Sequence, residues 1–311
     1  MVAPGIACCL AWLLQFGLAP SDWPAKAPVV TTISRVHAAE TVGPIGMNPD
    51  GLRAALSDLV LGLAQWRVWW VLALNDIRQR YRRSALGQFW LTISMAVTIA
   101  GIGIIFGLIF NQKLDSYIPF LGIGLITWGL LSGLIIDLAN SFINAGTHLR
   151  SYRTPRSVVI YRIITRHFIV SAHNFLIVPI LLILFDIPLT PTTLLAIPAL
   201  AAIALNGVWI GLIIGPLSAR FRDLPLIITS VLQLAFFVTP IIFRPAQLQD
   251  RLWVVTHLNP FASFMEIVRA PLLGQLAEPH HYVMVTLCTL VGFVIAIPFY
   301  ARFRRRIVYW L

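Results

Sequence analysis

The sequence predicts an all-α integral membrane protein. It would have six transmembrane helices, cytoplasmic N- and C-termini, and an interfacial amphipathic helix ahead of the first span. Three observations predict this. The 311-residue chain is 58% hydrophobic and only 11% charged, with a mean hydropathy of +0.83; soluble domains carry about 25% charge. Apolar runs with little or no charge, about as long as a bilayer is thick, recur six times. The basic residues between those runs fall mostly on one side.

The six runs are Phe89–Phe110, Ile118–Leu138, His167–Phe185, Thr193–Ser218, Leu224–Phe243 and Tyr282–Tyr300. A run of about 22 residues at ~1.5 Å per residue makes roughly 33 Å, enough to cross the hydrocarbon. The runs are continuously apolar, whereas barrel strands alternate, so helices are the spanning element.

Connecting segments set the orientation. On one side lie Arg78, Arg80, Arg82 and Arg83, then Arg150, Arg153, Arg156, Arg162 and Arg166. Arg220 and Arg222 follow, then Arg302, Arg304, Arg305 and Arg306. The other side has only Lys113, Arg244, Arg251 and Arg269. Fifteen against four puts the first side, and both chain ends, in the cytoplasm. The net charge of +11 is therefore positive-inside charge and not a nucleic-acid surface, and no nucleic-acid partner is expected.

Residues Leu56–Ile77 are apolar and aromatic, with Trp66, Trp69 and Trp70, but Arg67 and Asp76 interrupt them. They read as a helix lying in the cytoplasmic interface, where tryptophan rings settle and arginines meet anionic lipid; a seventh span is the alternative. Residues 47–88 form this cytoplasmic segment, 89–300 the transmembrane domain, and 301–311 a basic cytoplasmic tail. Residues 1–46 fit poorly. Ile6–Leu18 is too short to span comfortably and lacks the basic flank of a secretory signal. Pro20–Pro49 is rich in proline, glycine and small residues and reads as disordered. Met47 is expected to be the natural start, which N-terminal sequencing of the native protein would test.

The outer-face loop, 244–281, is long and not simply polar. Two short apolar segments flank Asn259-Pro260 and Pro271. They suit helices that dip into or lie on the outer leaflet; an ordinary amphipathic surface loop is the alternative.

Motifs for self-contained chemistry are missing. There is no Gly-Lys pair and so no phosphate-cradling loop, no Gly-x-Ser-x-Gly, and no His-Glu-x-x-His. Cys8, Cys9 and Cys288 form no disulfide or metal framework. The acidic residues are scattered singly, unlike the paired carboxylates of a sugar hydrolase. No catalytic residue, metal site or cofactor site is expected in this chain. At membrane depth, Asp137 is expected to hydrogen-bond a neighbouring helix, and His173 and Asn174 to do the same. The chain reads as a membrane body without an engine. Ala145–Arg166, short, basic and broken by Pro155, would be a docking point for a cytoplasmic subunit, or simply a positive-inside anchor.

Five stretches carry a family likeness in order: LALNDIRQRYRRSALGQFW (Leu72–Trp90), LRSYRTPRSVVIYRIITRHFIVSAHN (Leu149–Asn174), LSARFRDLPLIITSVLQLAFFVTPIIF (Leu217–Phe243), NPFASFMEIVRAPLLG (Asn259–Gly274) and RFRRRIVYWL (Arg302–Leu311). From about Leu56 to Leu311 the chain resembles the type 2 ABC-transporter permeases, in the branch that exports O-antigen, capsule, teichoic acid and related polysaccharides. The resemblance implies a homodimer in the bacterial inner membrane, with the pathway between the copies. It implies two ATP-binding cassette subunits, which carry the ATP and magnesium. Those subunits would dock at the coupling loop, here Leu149, Arg150, Tyr152, Arg153, Pro155 and Arg156, and at the interfacial helix before Arg83. Aromatic rings would line the path. Outer helices would shape the exit, with Asn259, Pro260, Phe261, Arg269 and Pro271 as gate candidates. The substrate would be a lipid-linked polysaccharide, and Arg78, Arg80, Arg82 and Arg83 would attract its phosphate. The alternatives are an exporter of a smaller lipid or drug in the same superfamily, or a membrane enzyme acting on lipid-linked sugar.

Overall fold

The computed structural model describes residues 49–82, 87, 89–146, 154–244 and 258–310. Among these the regular elements are all helices. Two helices precede the first span, α1 (Pro49–Ala64) and α2 (Trp66–Tyr81). The spans follow as α3 (Phe89–Ile109), α4 (Leu114–Ala139), and α6 (Ser157–Phe175) continued by α7 (Ile177–Leu184). A one-turn helix α5 (Ser141–Asn144) trails α4. A 3₁₀ turn at Pro191–Leu195 leads into α8 (Ala196–Arg220). Then come α9 (Leu224–Val238), α10 (Pro260–Leu272), α11 (Pro279–Phe303) and a terminal turn α12 (Ile307–Trp310).

Five of these stretches are long and apolar enough to cross a membrane: Phe89–Ile109, Leu114–Ala139, Ser157–Leu184, Pro191–Arg220 and Pro279–Phe303. The sixth, α9, is apolar but only 15 residues long, roughly 22 Å against a hydrocarbon core of about 30 Å. The predicted fifth span, Leu224–Phe243, therefore stops early. Pro240 is the reason: its ring restricts the preceding residue to extended backbone, and Thr239 adopts φ −86°, ψ 138°.

Two other boundaries differ from the sequence expectation. The third span begins at Ser157, ten residues before His167, so Arg162 and Arg166 lie in a helix and not in a connecting loop. It is interrupted at Leu176, because Pro179 lacks an amide proton and its ring crowds the carbonyl of Phe175. The interfacial stretch is two helices broken at Gln65, not one. In the outer loop, the described residues hold one helix, α10, with Pro271 in its last turn.

Three helices end on the outer side with the same device. Asn111, Asp186 and Gly274 take positive φ, and the next amide reaches back to Gly107, Leu182 and Ala270, each at 2.9 Å. This closes orphan carbonyls with a left-handed residue, which asparagine, aspartate and glycine tolerate best.

The body is packed around α4, which is enclosed on most sides, whereas α3 and α11 bury only a narrow stripe. One apolar cluster joins Leu130, Leu134 and Leu138 of α4 to Ile160, Ile203, Leu212 and Tyr300. The other joins Tyr117, Leu121 and Ile123 to Leu181, Ile241 and Met265. The arginine-bearing ends of α6, α8 and α11 gather on α1, α2 and α12. Arg220, for example, lies over the Trp310 ring at 5.4 Å.

Candidate functional site

Two polar regions sit at opposite ends of this apolar body. At the arginine-rich end, α6 starts with backbone amides that have no carbonyl partner of their own. The residue at its cap position is Arg156, whose side chain makes no capping bond. The cap comes from another helix. The Asp58 carboxylate of α1 accepts the Arg156 and Ser157 amides, both at 3.1 Å, and the Tyr300 hydroxyl of α11 at 2.8 Å. Ser157 Oγ donates back to the Asp58 carbonyl at 2.7 Å, and the Tyr161 hydroxyl donates to the Leu59 carbonyl at 3.2 Å. The helices meet this closely because residue 62 is glycine; a Cβ there would lie 2.0 Å from Ser157 Oγ. Arg156 also donates to the Arg304 carbonyl, and Arg304 Nη1 to the Ala54 carbonyl at 3.0 Å. Burial draws the Arg156 guanidinium below its ordinary pKa, while Tyr300 and Asp58 oppose that shift.

Of the predicted coupling residues, Pro155 and Arg156 are here and half-buried. Leu149, Arg150, Tyr152 and Arg153 lie outside the described residues. Asp58 and Tyr300 escaped the sequence reading. The available signal was a lone acid in the otherwise apolar SDLVLGLA run of α1.

One turn of helix before the interfacial arginines, Asp76 receives Arg162 through two nitrogens, Nε at 2.7 Å and Nη2, and Arg166 Nη1 at 3.4 Å. Arg166 pairs in turn with Asp137 of α4, which also meets His167 Nε2 at 2.6 Å. Asp137 thus bonds a neighbouring helix, as expected, and Asp76 and Asp137 compensate Arg162 and Arg166. Arg78, Arg80 and Arg82 stand exposed at the end of α2; Arg83 lies outside the described residues. Asn174 accepts the Thr92 hydroxyl of α3 at 3.4 Å. Among the described residues, His173 does not make the expected interhelical hydrogen bond. It bonds the Ile169 carbonyl of its own helix at 2.8 Å and reaches α3 through an edge contact with the Phe89 ring.

At the outer end the gate candidates converge on the break after α9. Asn259 caps α10 by accepting Phe261 and Ala262 amides at 2.9 and 3.4 Å, and its Nδ2 donates to Thr239 Oγ1 at 3.0 Å. Pro260 occupies the first turn, where no amide proton is needed. Phe261 packs edge-on against Trp128, which also meets Phe236. Arg269 is 1% exposed. It forks onto Glu266, donates to the Pro240 carbonyl at 2.9 Å, and lies 3.8 Å over the Phe120 ring. The Tyr117 hydroxyl donates to the Ile242 carbonyl at 2.6 Å, and Arg244 to the Ser116 carbonyl at 2.7 Å. Broken backbone at membrane depth survives only where protein covers it and satisfies its polar groups; Arg269 and Tyr117 serve the Pro240 and Ile242 carbonyls, and Asn259 holds the Thr239 hydroxyl beside them. Burial lowers the pKa of Arg269, opposed by Glu266, and also lowers that of Arg244. Pro271 is buried in the last turn of α10. Among the described residues, no three His, Cys, Asp or Glu side chains are grouped to hold a metal ion.

A polytopic helical body with basic helix ends gathered at one face defines the class as a multi-pass membrane protein. Residues 67–273 match the family described as ABC-2 type transporter. That is more than half of the chain, and the chain belongs to this family. An O-antigen export system permease protein RfbA of Klebsiella pneumoniae is 25% identical over 201 residues, covering 63% of this chain and 76% of that protein. A second Klebsiella pneumoniae RfbA is 24% identical over 240 residues, 76% of this chain and 90% of that protein. The RfbA of Myxococcus xanthus is 25% identical over 225 residues, 68% and 83% of the two chains. The chain is a multi-pass inner-membrane protein and the membrane subunit of a transporter.

Proposed function

We propose that this chain is the permease subunit of an ATP-driven exporter that moves lipid-linked polysaccharide, O-antigen-like or capsule-like, across the inner membrane. The observation that carries the reading is the family match across 67–273, together with relatives named as O-antigen export permeases. Two copies enclose the pathway, and two ATP-binding cassette subunits supply ATP and magnesium from below. The apolar faces left open on α3, α9 and α11 are covered by lipid or by the second copy. Asp58 and Tyr300 tie the start of α6, next to the coupling loop, into the body, which is what a motor-driven permease needs. Arg78, Arg80 and Arg82 stand where the headgroups lie and attract the phosphate of the lipid anchor. A smaller lipid or drug as cargo is the second reading.

Purifying the tagged chain in mild detergent from its own host tests the proposal. A P-loop ATPase recovered in about equal amount, hydrolysing ATP, together with loss of surface polysaccharide when the gene is deleted, is the expected result. A chain recovered alone, under conditions that keep such complexes intact, overturns it. Recovery of the ATPase with surface polysaccharide intact shifts the cargo to a smaller amphiphile.

A further inference from the structure

The Asp58 contact has a form that a plain structural ion pair would not take. An N-terminal helix end is normally capped by the residue that precedes it. At α6 the cap belongs to α1, 98 and 99 positions away. The same carboxylate holds the hydroxyl of Tyr300, 242 positions away in α11 and fully buried. The Arg156–Arg304–Ala54 chain of contacts repeats the same three-way link. Two sets of bonds, meeting at Arg156, therefore join the start of α6, helix α1 and the cytoplasmic end of α11 into one node. The described part of the coupling segment, Thr154–Arg156, runs directly into it. α6 in turn carries Arg162 and Arg166, which hold α2 and α4.

Backbone amides are the part of the coupling segment that must move if the segment moves. Asp58 binds amides, not a flexible side chain, so displacement of Arg156 and Ser157 is passed to α1 with little slack. Tyr300 is rigid, aromatic and buried, and passes it to α11.

We propose that Asp58 is a positioning residue of the transport cycle. Its carboxylate is the joint through which motion at the start of α6 is shared with α1 and α11. The proposal rests on the ATP-driven reading above. Asp58 touches neither substrate nor nucleotide; it acts through the Arg156 and Ser157 amides.

The test uses the whole complex with its ATPase, reconstituted in nanodiscs, and compares wild type with Asp58→Asn and Tyr300→Phe. Asparagine keeps one carbonyl acceptor and loses the charge. Phenylalanine removes one hydroxyl and keeps the buried ring. Two quantities are read: polysaccharide exported per ATP hydrolysed, and the change in amide hydrogen exchange on adding a non-hydrolysable ATP analogue. In wild type the analogue is expected to change exchange at the start of α6, in α1 and at the end of α11 together. In Asp58→Asn the response of α1 and α11 is reduced relative to that at the start of α6, the Arg156–Arg304–Ala54 contacts remaining in place. Export per ATP falls on the order of tenfold, a typical coupling between sites, while ATPase assembly and hydrolysis persist. Tyr300→Phe weakens the response of α11 alone. It also serves if Asp58→Asn fails to assemble.

A merely structural role would lower assembly, hydrolysis and export in parallel and leave export per ATP unchanged; that result overturns the proposal. So does an exchange response in both variants identical to wild type. If wild type itself binds no ATPase, the transport reading fails and the joint with it. If wild type binds ATPase and exports, but the variants match it, only the joint fails.

Discussion

The Asp76 carboxylate and the Arg162 guanidinium, 86 positions apart, meet through two nitrogen–oxygen contacts and fasten α2 against the third span. Their side chains are 12% and 26% exposed, so solvent screens the pair only in part. Arg166 touches the same carboxylate, and removal of Asp76 leaves two guanidinium groups facing each other. Asp76→Ala is expected to cost about 2–3 kcal/mol, as for hydrogen bonds to charged groups. Thermal unfolding in detergent measures it. A double-mutant cycle with Arg162→Ala should show about 1–3 kcal/mol of coupling; simple additivity would mean that the pair contributes nothing to the fold.

Arg269 is the outer counterpart. Its guanidinium serves the Glu266 carboxylate and the Pro240 carbonyl while stacked on Phe120. Arg269→Met leaves a carboxylate and a backbone carbonyl without their donor, expected to cost about 3–5 kcal/mol. Lysine retains charge but has no planar fork to serve both acceptors, and should recover no more than about half. Removing both charges, Arg269→Met with Glu266→Met, should be milder than the single change. The check is the order of the three unfolding temperatures. If the double variant is the least stable, the ion pair is not the determinant.

These two arginines mark how far the sequence could be read. Long charge-free runs are local, so α3 and α4 were placed from hydropathy within a few residues. Asn259 enters the sequence analysis through the family likeness of Asn259–Gly274; its cap on α10, an asparagine followed by proline, is a local signal as well. The start of the third span was not legible. Arg162 and Arg166 look like loop residues until Asp76 and Asp137, distant in sequence, neutralise them. The Leu224–Phe243 run reads as one span because hydropathy does not register that Pro240 breaks the helix while Arg269 covers the break. Asp58 is marked in the sequence only as a lone acid in an apolar run; its partners lie at 156, 157 and 300, and their meeting is a property of the packed body.

The seam between α8 and α11 gives a prediction that depends on shape alone. Trp209 Nε1 donates to Asn206 Oδ1 at 2.7 Å, and Asn206 Nδ2 to Thr289 Oγ1 at 2.8 Å. The indole lies flush on Gly292, where an added Cβ would come within 2.4 Å of the ring. Gly292→Ala must push Trp209 off Asn206 and should cost about 1–3 kcal/mol, the usual range for overpacking. Gly101→Ala, with nothing within 4 Å, should stay within about 0.5 kcal/mol. Tryptophan fluorescence together with thermal unfolding separates the two; equal effects would contradict the packing.

The exposed arginines of α2 test the interface and not the fold. Arg78, Arg80 and Arg82 are exposed, so changing all three to glutamine should leave thermal stability within about 0.5 kcal/mol. Near an anionic headgroup surface each basic residue contributes about 1 kcal/mol, within a Debye length. If they attract the phosphate of a lipid anchor, the triple variant should slow export several-fold at low salt. Raising the ionic strength should slow wild type toward the variant and affect the variant little. Initial export rates in nanodiscs at two salt concentrations give the answer. Equal rates for wild type and variant at low salt would remove the arginines from substrate handling and leave them as positive-inside anchors of the first span.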